Sequence, residues 1–506
     1  MSTTMQVMEF PLFINGQWRP ASSGETFDVV NPATGAVVAK VAKATKQDAE
    51  EAIRVARETF DSGVWSRKKP QERAQVLVQF AQKIVEHAQD LVFLESVSSG
   101  GTIRRIGNSD ILQIADLLQQ TAKFAMEYSY VQSLPVVSFP ASNNNQIWRE
   151  PIGVVAAITA WNFPMILAMW KLAPALAMGN TIIVKPASNT PLSTLKLAEL
   201  AVQAGLPAGV FNVIAGPGAS VGETLVTHPQ VDKVAFTGST EVGRRIMQLA
   251  SGTVKRVTLE LGGKSPSIVL PDADLELAVP GILFGVFLHS GQICESGTRV
   301  LVHDSIYDEV VSRLAEAAKS IRLGNPLDPA TGMGPVVSKQ QLDTVLGYIE
   351  AGIQEGARLV CGGNRAVGAG LDNGYFVEPT IFADVTNDMK IAKEEIFGPV
   401  LSVIRYSTVE EAIQIANDTI YGLASGVWTS DANKALQIAR ELKAGTVWIN
   451  DWHMFRSDAP FGGYKQSGFG RELGRHALDE YTQVKHVHLS MTSEIEQRPW
   501  LNILFN

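Results

Sequence analysis

The chain has 506 residues, of which 45% are apolar and 19% charged, and its formal net charge is −8. This length predicts two or three globular domains with large cores. The acidic balance argues against nucleic acid as a main partner. Two cysteines in so long a chain exclude a disulfide framework and favour a reducing compartment. Met1–Phe10 has no basic start and no long apolar run, so we expect no signal peptide and a cytoplasmic protein.

The N-terminal part of the chain is predicted to be mostly helical. Leu12–Trp18 alternates around Asn15-Gly16, which predicts a short hairpin at the surface. Apolar residues recur at helical spacing in Gln47–Phe60, Gln71–His87 and Ile103–Tyr128. Gln132–Ile147 is rich in Val, Ser and Pro and predicts a β-hairpin arm, with its turn at Asn143-Asn144-Asn145.

From Ile152 onward, short apolar strands alternate with helices, which predicts parallel sheets covered on both faces. The strands of the first alternation are predicted at Val154–Ala160, Thr181–Val184, Val210–Ile214, Lys233–Phe236 and Arg256–Leu259. Those of the second are predicted at Ser267–Leu270, Arg299–Val302, Val400–Ile404, Ser425–Trp428 and Thr446–Ile449. Gly153–Gly179 has only one charge, Lys171, but Asn162 and Pro164 interrupt it. It therefore predicts a strand, a loop and a helix rather than a membrane span.

These alternations predict an α/β fold with two Rossmann-like parallel-sheet domains and a small β arm. We expect residues 1–131 and 151–262 to form the first domain and 263–479 the second. Residues 132–150 and 480–506 would form the arm and a C-terminal tail, with Thr482–Leu489 as a strand that pairs with the arm. The tail Glu494–Asn506 carries many large apolar residues, which rarely stay in water. It either packs on its own subunit or covers a neighbouring subunit or a substrate mouth.

The two cysteines stand in different settings. Cys361 lies where a predicted strand runs into a turn, and we interpret it as a small buried apolar residue. Cys294 follows Gly291-Gln292-Ile293 and precedes small polar residues, a pattern that exposes a thiol at the end of a packed helix. No Cys/His/Asn protease pattern accompanies it, and no metal site is predicted.

Other candidate residues stand where predicted strands end. Glu260 closes a strand and is followed by two glycines, and a carboxylate at that edge of a parallel sheet faces the ligand crevice. Asn162 also follows a strand, and its side-chain N–H could stabilise an oxyanion. The turn Gly238–Gly243 joins a strand to a helix and suits a pyrophosphate, although it lacks the G-x-G-x-x-G spacing. Gly216-Pro217-Gly218 with Gly222 forms a second glycine-rich turn.

Seven motifs, in this order, resemble the NAD(P)-dependent aldehyde dehydrogenase superfamily. They are Trp161-Asn162-Phe163-Pro164, Lys185-Pro186-Ala187, Phe236-Thr237-Gly238-Ser239, Leu259-Glu260-Leu261-Gly262-Gly263-Lys264, Gly291-Gln292-Ile293-Cys294, Glu394-Glu395-Ile396-Phe397-Gly398-Pro399 and Pro460-Phe461-Gly462-Gly463-Tyr464-Lys465. The resemblance runs from Asn15-Gly16 to about Leu489. It implies that the first domain binds the cofactor, that the second is catalytic, and that the arm joins subunits into a homodimer or homotetramer.

The resemblance also implies residue roles. Cys294 would be the nucleophile, Glu260 the general base, and Asn162 with the Cys294 backbone N–H the oxyanion hole, while Lys171 and Glu472 match proton-relay positions. The implied cofactor-binding positions are Ile158, Thr159, Trp161, Lys185, Ser188, Gly218, Gly222, Phe236, Gly238, Ser239, Val242, Leu261, Glu395 and Phe397. The implied substrate-pocket positions are Phe163, Leu167, Trp170, Ile293, Trp452 and Phe455.

The implied reaction is oxidation of an aldehyde to the acid through a thioester that Glu260-activated water hydrolyses. Serine at position 188 replaces the glutamate common in strictly NAD-using relatives and removes a carboxylate that would repel a 2′-phosphate, so we expect use of both NAD and NADP.

The pocket positions are apolar and aromatic, which favours broad aliphatic or aromatic aldehydes. Glu295 and His453 would add polarity at the rim. A semialdehyde is an alternative, with Arg456 as the only nearby cation. Betaine aldehyde is another, if Trp170 and Trp452 form a cage.

Two further alternatives are a non-catalytic, cofactor-binding member and a cofactor-independent thiol esterase. Intact Cys294 and Glu260 argue against the first of these. The retained cofactor positions reduce the second to a side activity.

Overall fold

The computed structural model describes residues 6–138 and 141–504. In chain order its strands are β1 (Met8–Phe10), β2 (Leu12–Ile14), β3 (Gln17–Arg19), β4 (Thr26–Val30), β5 (Val37–Ala42), β6 (Val131–Ser133), β7 (Asn143–Pro151), β8 (Val154–Ile158), β9 (Thr181–Lys185), β10 (Phe211–Val213), β11 (Lys233–Thr237), β12 (Arg256–Glu260), β13 (Pro266–Val269), β14 (Arg299–His303), β15 (Arg358–Cys361), β16 (Thr380–Ala383), β17 (Val400–Tyr406), β18 (Ala424–Trp428), β19 (Thr446–Ile449), β20 (Gly468–Phe469) and β21 (Thr482–Ser490).

The α-helices are α1 (Lys46–Ser62), α2 (Pro70–Glu86), α3 (Ala88–Ser99), α4 (Ile103–Arg105), α5 (Ile111–Glu127), α6 (Pro164–Ala177), α7 (Leu192–Gln203), α8 (Glu223–Thr227), α9 (Thr240–Ala250), α10 (Leu275–Phe287), α11 (Tyr307–Ala318), α12 (Lys339–Gln354), α13 (Lys390–Lys393), α14 (Val409–Asn417), α15 (Ala432–Glu441) and α16 (His476–Glu480). Two π-helical turns, Ile106–Asp110 and Gly218–Gly222, precede α5 and α8.

One sheet has eight strands in the order β20-β12-β11-β8-β9-β10-β2-β3. Its inner strands β12, β11, β8, β9 and β10 run parallel, because buried apolar stretches such as Val154–Ile158 are covered by helices on both faces. Helices α2, α5, α6 and α7 supply the core on one face, and α1, α8 and α9 that on the other. The carboxyl ends of the parallel strands therefore meet at one edge of the sheet.

A second sheet has seven strands in the order β15-β16-β17-β14-β13-β18-β19, and only β15 runs antiparallel to its neighbour. It too has an apolar core on each face. The expected α/β fold with two parallel-sheet units is confirmed. A smaller sheet, β1-β5-β4, lies near the N-terminus.

The arm is a three-stranded antiparallel sheet in the order β21-β7-β6. The predicted pairing of the C-terminal strand is confirmed, because Thr482 lies opposite Pro151 and Ser490 opposite Asn143. The predicted turn at Asn143-Asn144-Asn145 is wrong. These residues begin β7, where cross-strand hydrogen bonds outweigh the preference of asparagine for turns.

Two further predictions need correction. The hairpin of β2 and β3 exists, but β2 is buried and pairs with β10, so it extends the large sheet. The long helix expected over Ile103–Tyr128 is interrupted by the π-helical turn at Ile106–Asp110. Segment Gly153–Gly179 forms β8, a loop and α6, as predicted. Within the described residues, no helix is both long and apolar enough to cross a bilayer.

The C-terminal tail forms two short 3₁₀ turns, Ile495–Gln497 and Pro499–Ile503. Ile503 and Leu504 are more than 80% exposed, so packing on their own subunit does not bury them. Phe505 and Asn506 lie outside the described residues.

Candidate active site

The candidate nucleophile is held by a tight turn between the two sheets. Helix α10 ends at Phe287, and a 3₁₀ turn over Leu288–Gly291 leads to Cys294. Gly291 has φ +70°, and a side chain there would overlap the backbone of Gly398. Gln292 braces the turn, because its Nε2 donates to the His289 carbonyl (2.9 Å) and its Oε1 accepts from the Val337 N–H (2.8 Å).

Two cavities meet at this turn. The sheet-edge cavity has a volume of about 200 Å³ and is lined by Ala160, Trp161, Asn162, Thr237, Gly238, Ser239, Glu260, Leu261, Gly262, Cys294, Gln341, Glu395 and Phe397. The helix-lined cavity has a volume of about 70 Å³ and lies against α5 and α6. Asn162 and Cys294 line both cavities, and Glu260 lines the first. These three residues lie far apart in the sequence, but the fold brings them to one place, as joint chemistry of the three groups requires.

The Cys294 thiol lies among carboxylates. Burial raises the pKa of Cys294 well above the ordinary thiol value, and Glu295, Glu395 and Glu260 raise that pKa further by repulsion. The Sγ–H donates to Glu295 Oε2 at 3.2 Å. The resting group is therefore a thiol, and a base must remove its proton before it attacks a carbonyl.

Asn162 is positioned by the loop that holds the cysteine. Its Nδ2 donates to the Gln292 carbonyl oxygen at 2.9 Å, two residues before Cys294. An amide nitrogen carries two hydrogens, so the second N–H remains for a ligand. No backbone oxygen of the described residues accepts from the Cys294 N–H. These two donors can stabilise an oxyanion formed on an atom bound to Sγ.

Glu260 ends β12 beside a buried ion pair. Lys171 Nζ donates to Glu472 Oε1 (2.8 Å) and to Thr237 Oγ1 (2.7 Å), and the Lys171 side chain is fully buried. Burial raises the pKa of Glu260 well above its ordinary value; Glu472 raises it further, while Lys171 lowers it. Gly462 has no side chain and so keeps the space over Glu260 open. A Cβ at this position would lie 2.8 Å from Glu260 Oε1.

The far side of the sheet-edge cavity fits a dinucleotide. Ser239 caps α9, where its side chain accepts from the Val242 N–H at 3.3 Å, and the helix N-terminus attracts phosphate. Buried Thr159 Oγ1 has no hydrogen-bond partner among the described residues. Burial lowers the pKa of Lys185 to about 8 and raises that of Glu395 to about 7. Ser239 and Glu395 line this cavity, and Thr159 and Lys185 lie at or just beyond the ends of the neighbouring strands β8 and β9. Such donors and acceptors suit phosphate and ribose groups.

Comparison with known proteins assigns the chain to a protein family. The family model described as "Aldehyde dehydrogenase family" matches residues 18–487. The chain is 48% identical to "Putative aldehyde dehydrogenase DhaS" of Bacillus subtilis, covering 95% of each. It is 46% identical to "Betaine aldehyde dehydrogenase" of the same organism, over 95% of this chain and 97% of the relative. The chain belongs to the aldehyde dehydrogenase family.

Two solved structures support the same assignment. Betaine aldehyde dehydrogenase (betB) from Staphylococcus aureus, in complex with NAD⁺, superposes with a TM-score of 0.93 at 41% identity and 96% coverage of both chains. The aldehyde dehydrogenase KauB from Pseudomonas aeruginosa also has a TM-score of 0.93, at 46% identity, over 96% of this chain and 97% of its own. The protein is thus an enzyme of the aldehyde dehydrogenase class.

In this aldehyde dehydrogenase, the expected cofactor positions follow the carboxyl ends of neighbouring strands. Trp161, Gly238, Ser239, Leu261, Glu395 and Phe397 line the sheet-edge cavity. Ile158, Thr159, Lys185 and Phe236 lie at or just beyond the ends of β8, β9 and β11. Gly218 and Gly222 bound the second π-helical turn, and Gly222 approaches Lys185 and Ile158. Ser188 Oγ donates to the Gly216 carbonyl at 3.4 Å, and Val242 is 45% exposed on α9.

Of the expected substrate positions, Phe163, Leu167, Trp170, Ile293 and Phe455 line the helix-lined cavity. Trp452 does not: its ring packs over Gly297 and stacks with Trp448 in the core (5.3 Å between centroids). Trp170 instead contacts Phe455 and Phe461. The proposed Trp170–Trp452 cage is therefore not formed.

Charged groups that the sequence did not predict also line this cavity. Arg105 and Asp110 line it and form a buried ion pair at 3.1 Å. Five positions apart, they would point away from each other on an α-helix, but the π-helical turn brings such positions together. No sequence signal marks that turn. Arg456, the expected cation, is exposed and paired with Asp458.

Proposed function

We propose that the enzyme oxidises an aldehyde to its carboxylic acid with NAD⁺ or NADP⁺, with Cys294 as nucleophile, Glu260 as general base and Asn162 in the oxyanion hole. One observation carries these roles: Asn162 and Cys294 line both the sheet-edge and the helix-lined cavity. A thiol at such a junction can hold a substrate carbon between an entry tunnel and a nucleotide site.

The residues act in two steps, formation of a thioester and its hydrolysis. Cys294 Sγ adds to the aldehyde carbon, and the Asn162 N–H with the Cys294 backbone N–H stabilises the oxyanion. The bound NAD(P)⁺ supplies the hydride acceptor that turns the adduct into a thioester. Glu260 in its ionised form then removes a proton from water, which attacks the thioester and releases the acid and the thiol. Lys171 and Glu472 set the charge around Glu260 and offer its proton a route through the protein.

For the cofactor, we propose dual use. NAD⁺ is present in the betB structure from Staphylococcus aureus. Serine at 188 offers no carboxylate that would repel the 2′-phosphate of NADP⁺, and its hydroxyl bond to Gly216 is weak at 3.4 Å.

For the substrate, we propose neutral aliphatic or aromatic aldehydes, because the helix-lined cavity presents mainly Phe163, Ile166, Leu167, Trp170 and Phe455. Arg105 could meet a semialdehyde carboxylate, but Asp110 already neutralises it. Betaine aldehyde stays an alternative on the strength of the Bacillus subtilis relative, although no tryptophan cage supports it.

We further propose a division of labour between the sheets and an oligomeric assembly. Residues 1–131 and 151–262 would bind the cofactor, 263–479 would supply the nucleophile, and residues 132–150 with 480–506 would join subunits into a dimer or tetramer in the cytoplasm. The exposed tail, with Ile503 more than 80% exposed, supports contact with a neighbouring subunit.

The test is reduced-cofactor formation with an aldehyde panel and both cofactors, comparing wild type with Cys294→Ala and Glu260→Gln. We expect no turnover from Cys294→Ala, and from Glu260→Gln one burst of reduced cofactor followed by a slow steady rate. A non-catalytic member would give no signal from wild type. Turnover by Cys294→Ala would exclude the proposed nucleophile.

A further inference from the structure

Two side chains that have no role above, Glu295 and His453, form a hydrogen-bonded series that starts at the nucleophile Cys294. Glu295 Oε2 accepts from Cys294 Sγ at 3.2 Å, and Glu295 Oε1 lies 2.8 Å from His453 Nδ1. The Glu295 side chain is 2% exposed and that of His453 4%. Both were expected as polar groups at the rim, but they are a buried pair against the reacting sulfur. Within the described residues, Glu295 has no other hydrogen-bond partner.

This hydrogen-bonded series leads toward solvent on the substrate side. His453 lines the helix-lined cavity and also the wide surface opening formed by Leu112, Asp116, Met454 and their neighbours. Its buried Nε2 has no hydrogen-bond partner among the described residues. The ring packs edge-on against Phe284 at 5.5 Å, which holds it in place. A proton that reached this imidazole would therefore stand at the mouth of the cavity.

Glu260 does not occupy this position. Neither of its carboxylate oxygens bonds the thiol; they lie toward Gly462, on the side of Glu472 and Lys171. Glu295, and not Glu260, is therefore the carboxylate in hydrogen-bond contact with the thiol. Formation of the thioester from thiol and aldehyde releases the S–H proton, and that proton needs an acceptor.

We propose that Glu295 is a further catalytic residue, the base that takes the proton from Cys294 during thioester formation, and that His453 is its positioning residue and the next proton acceptor. The S–H bond breaks, an S–C bond forms to the aldehyde carbon as the π pair of its C=O bond moves to the oxygen, and an O–H bond forms on Glu295. The Nδ1–H of His453 donates to Glu295, so the free acceptor on the imidazole is Nε2. The proton leaves Glu295 through solvent in the helix-lined cavity and adds to Nε2, which gives a carboxylate–imidazolium pair. Glu260 keeps the proton of the hydrolytic water. This inference rests on Cys294 being the nucleophile.

Several charged groups on other helices and strands or in other loops face this hydrogen-bonded series. Glu260 and Glu395 lie on the cofactor side of Sγ and disfavour the thiolate. The Arg105–Asp110 pair faces it across the helix-lined cavity and is internally neutralised. At the outer opening stand Asp116 and the exposed Arg456–Asp458 pair. None of these is an acceptor in hydrogen-bond contact with Sγ, so Glu295 is the base that the geometry provides.

His453→Asn is the decisive variant. Position 453 has φ +60°, a conformation that asparagine tolerates, and the Asn amide can still donate to Glu295 but cannot take up a proton. Alkylation of Cys294 by iodoacetamide, without cofactor and across pH, reports thiolate formation directly. Mass spectrometry assigns the label to Cys294 or Cys361. Single-turnover formation of reduced cofactor reports the same step with substrate. Asp458→Asn, at the same opening, is the matched control.

We expect His453→Asn to move the alkylation midpoint up by about one pH unit and slow labelling at neutral pH about tenfold. We expect Glu295→Gln to slow the single turnover about 100-fold, although it removes a charge that repels the thiolate. Asp458→Asn should match wild type in both assays. An unshifted His453→Asn profile, or a faster single turnover in Glu295→Gln, would overturn the inference. Failure of Cys294 to be alkylated at all would instead count against the proposed nucleophile.

Discussion

Replacement of Lys171 by methionine tests how the enzyme sets the protonation of its general base. Lys171 is fully buried and bonds Glu472 at 2.8 Å and Thr237 at 2.7 Å. Methionine keeps most of the side-chain volume but removes the charge. The change leaves Glu472 and Glu260 facing each other with one cation fewer, so the pKa of Glu260 rises beyond its already raised value.

The size of the effect follows from the burial of the pair. Breaking a buried ion pair by removing one partner costs about 3–5 kcal/mol, because the other charge is left without compensation. We therefore expect the melting temperature to fall by several degrees. Each further rise of one unit in the pKa of Glu260 lowers its ionised fraction at a given pH by up to about tenfold. Hydrolysis of the thioester, which needs that ionised form, should slow in proportion.

Glu472→Gln is the control, because it should shift the pKa of Glu260 in the opposite direction. Glu472 raises the pKa of Glu260 by repulsion, so its removal lowers that pKa while Lys171 keeps its charge. The assay is kcat against pH under conditions where hydrolysis limits turnover. Because Glu260 works ionised, kcat rises with pH through its pKa. The rise should move to higher pH in Lys171→Met and to lower pH in Glu472→Gln.

The double variant should fall between the two single variants. Shifts of both single variants in the same direction, or no shift in variants that circular dichroism shows to be folded, would refute the idea that this ion pair tunes Glu260. A drop in kcat without a change in the pH profile would mean that Lys171 only supports the packing around the site.

Three further outcomes are expected. Ser188→Glu should reduce the ratio of NADP to NAD turnover by about tenfold or more in initial rates at matched cofactor concentrations, because a carboxylate repels the 2′-phosphate. Arg105→Met should destabilise the fold by about 3 kcal/mol in denaturant unfolding by leaving Asp110 buried and unpaired, and Asp110→Leu in the same chain should recover most of it. Glu95 is buried with its pKa raised from 4.5 to about 8, so its folded state favours the proton and stability declines as pH rises through this range, by about 5 kcal/mol at most. Glu95→Gln should flatten the pH dependence of the melting temperature between these limits.

The sequence could predict most of the cofactor side of the site. Glu260, Lys185 and Thr159 stand at or just past the ends of β12, β9 and β8, and parallel strands place such positions on one edge of a sheet. Near-continuous apolar strands predicted that sheet, and the turn Gly238–Gly243 between a strand and a helix predicted where a pyrophosphate would bind. Here, local pattern and general topology suffice.

The substrate side could not be predicted in the same way. Trp452 lies beside His453 in the chain, but its ring fills a core space between Gly285, Gly297 and Gly426, while His453 turns into the cavity. Because His453 has a positive φ, its side chain points in a different direction from that of Trp452. The aromatic composition of this segment does not predict that backbone conformation. The Arg105–Asp110 contact likewise depends on a π-helical turn, and the Glu295–His453 contact joins residues far apart in sequence.

The two cysteines show why reactivity here cannot be assigned from acidity alone. Burial raises the pKa of Cys361 as well as that of Cys294, so neither thiol has the lowered pKa of a typical reactive cysteine. Cys361 Sγ contacts the Pro379 carbonyl at 3.7 Å, an oxygen that cannot hold a proton at neutral pH, and it lines neither cavity at the site. Cys294 opens on both cavities and contacts a carboxylate that can take its proton. Access and a neighbouring base, rather than a preformed thiolate, therefore distinguish the nucleophile from the inert thiol.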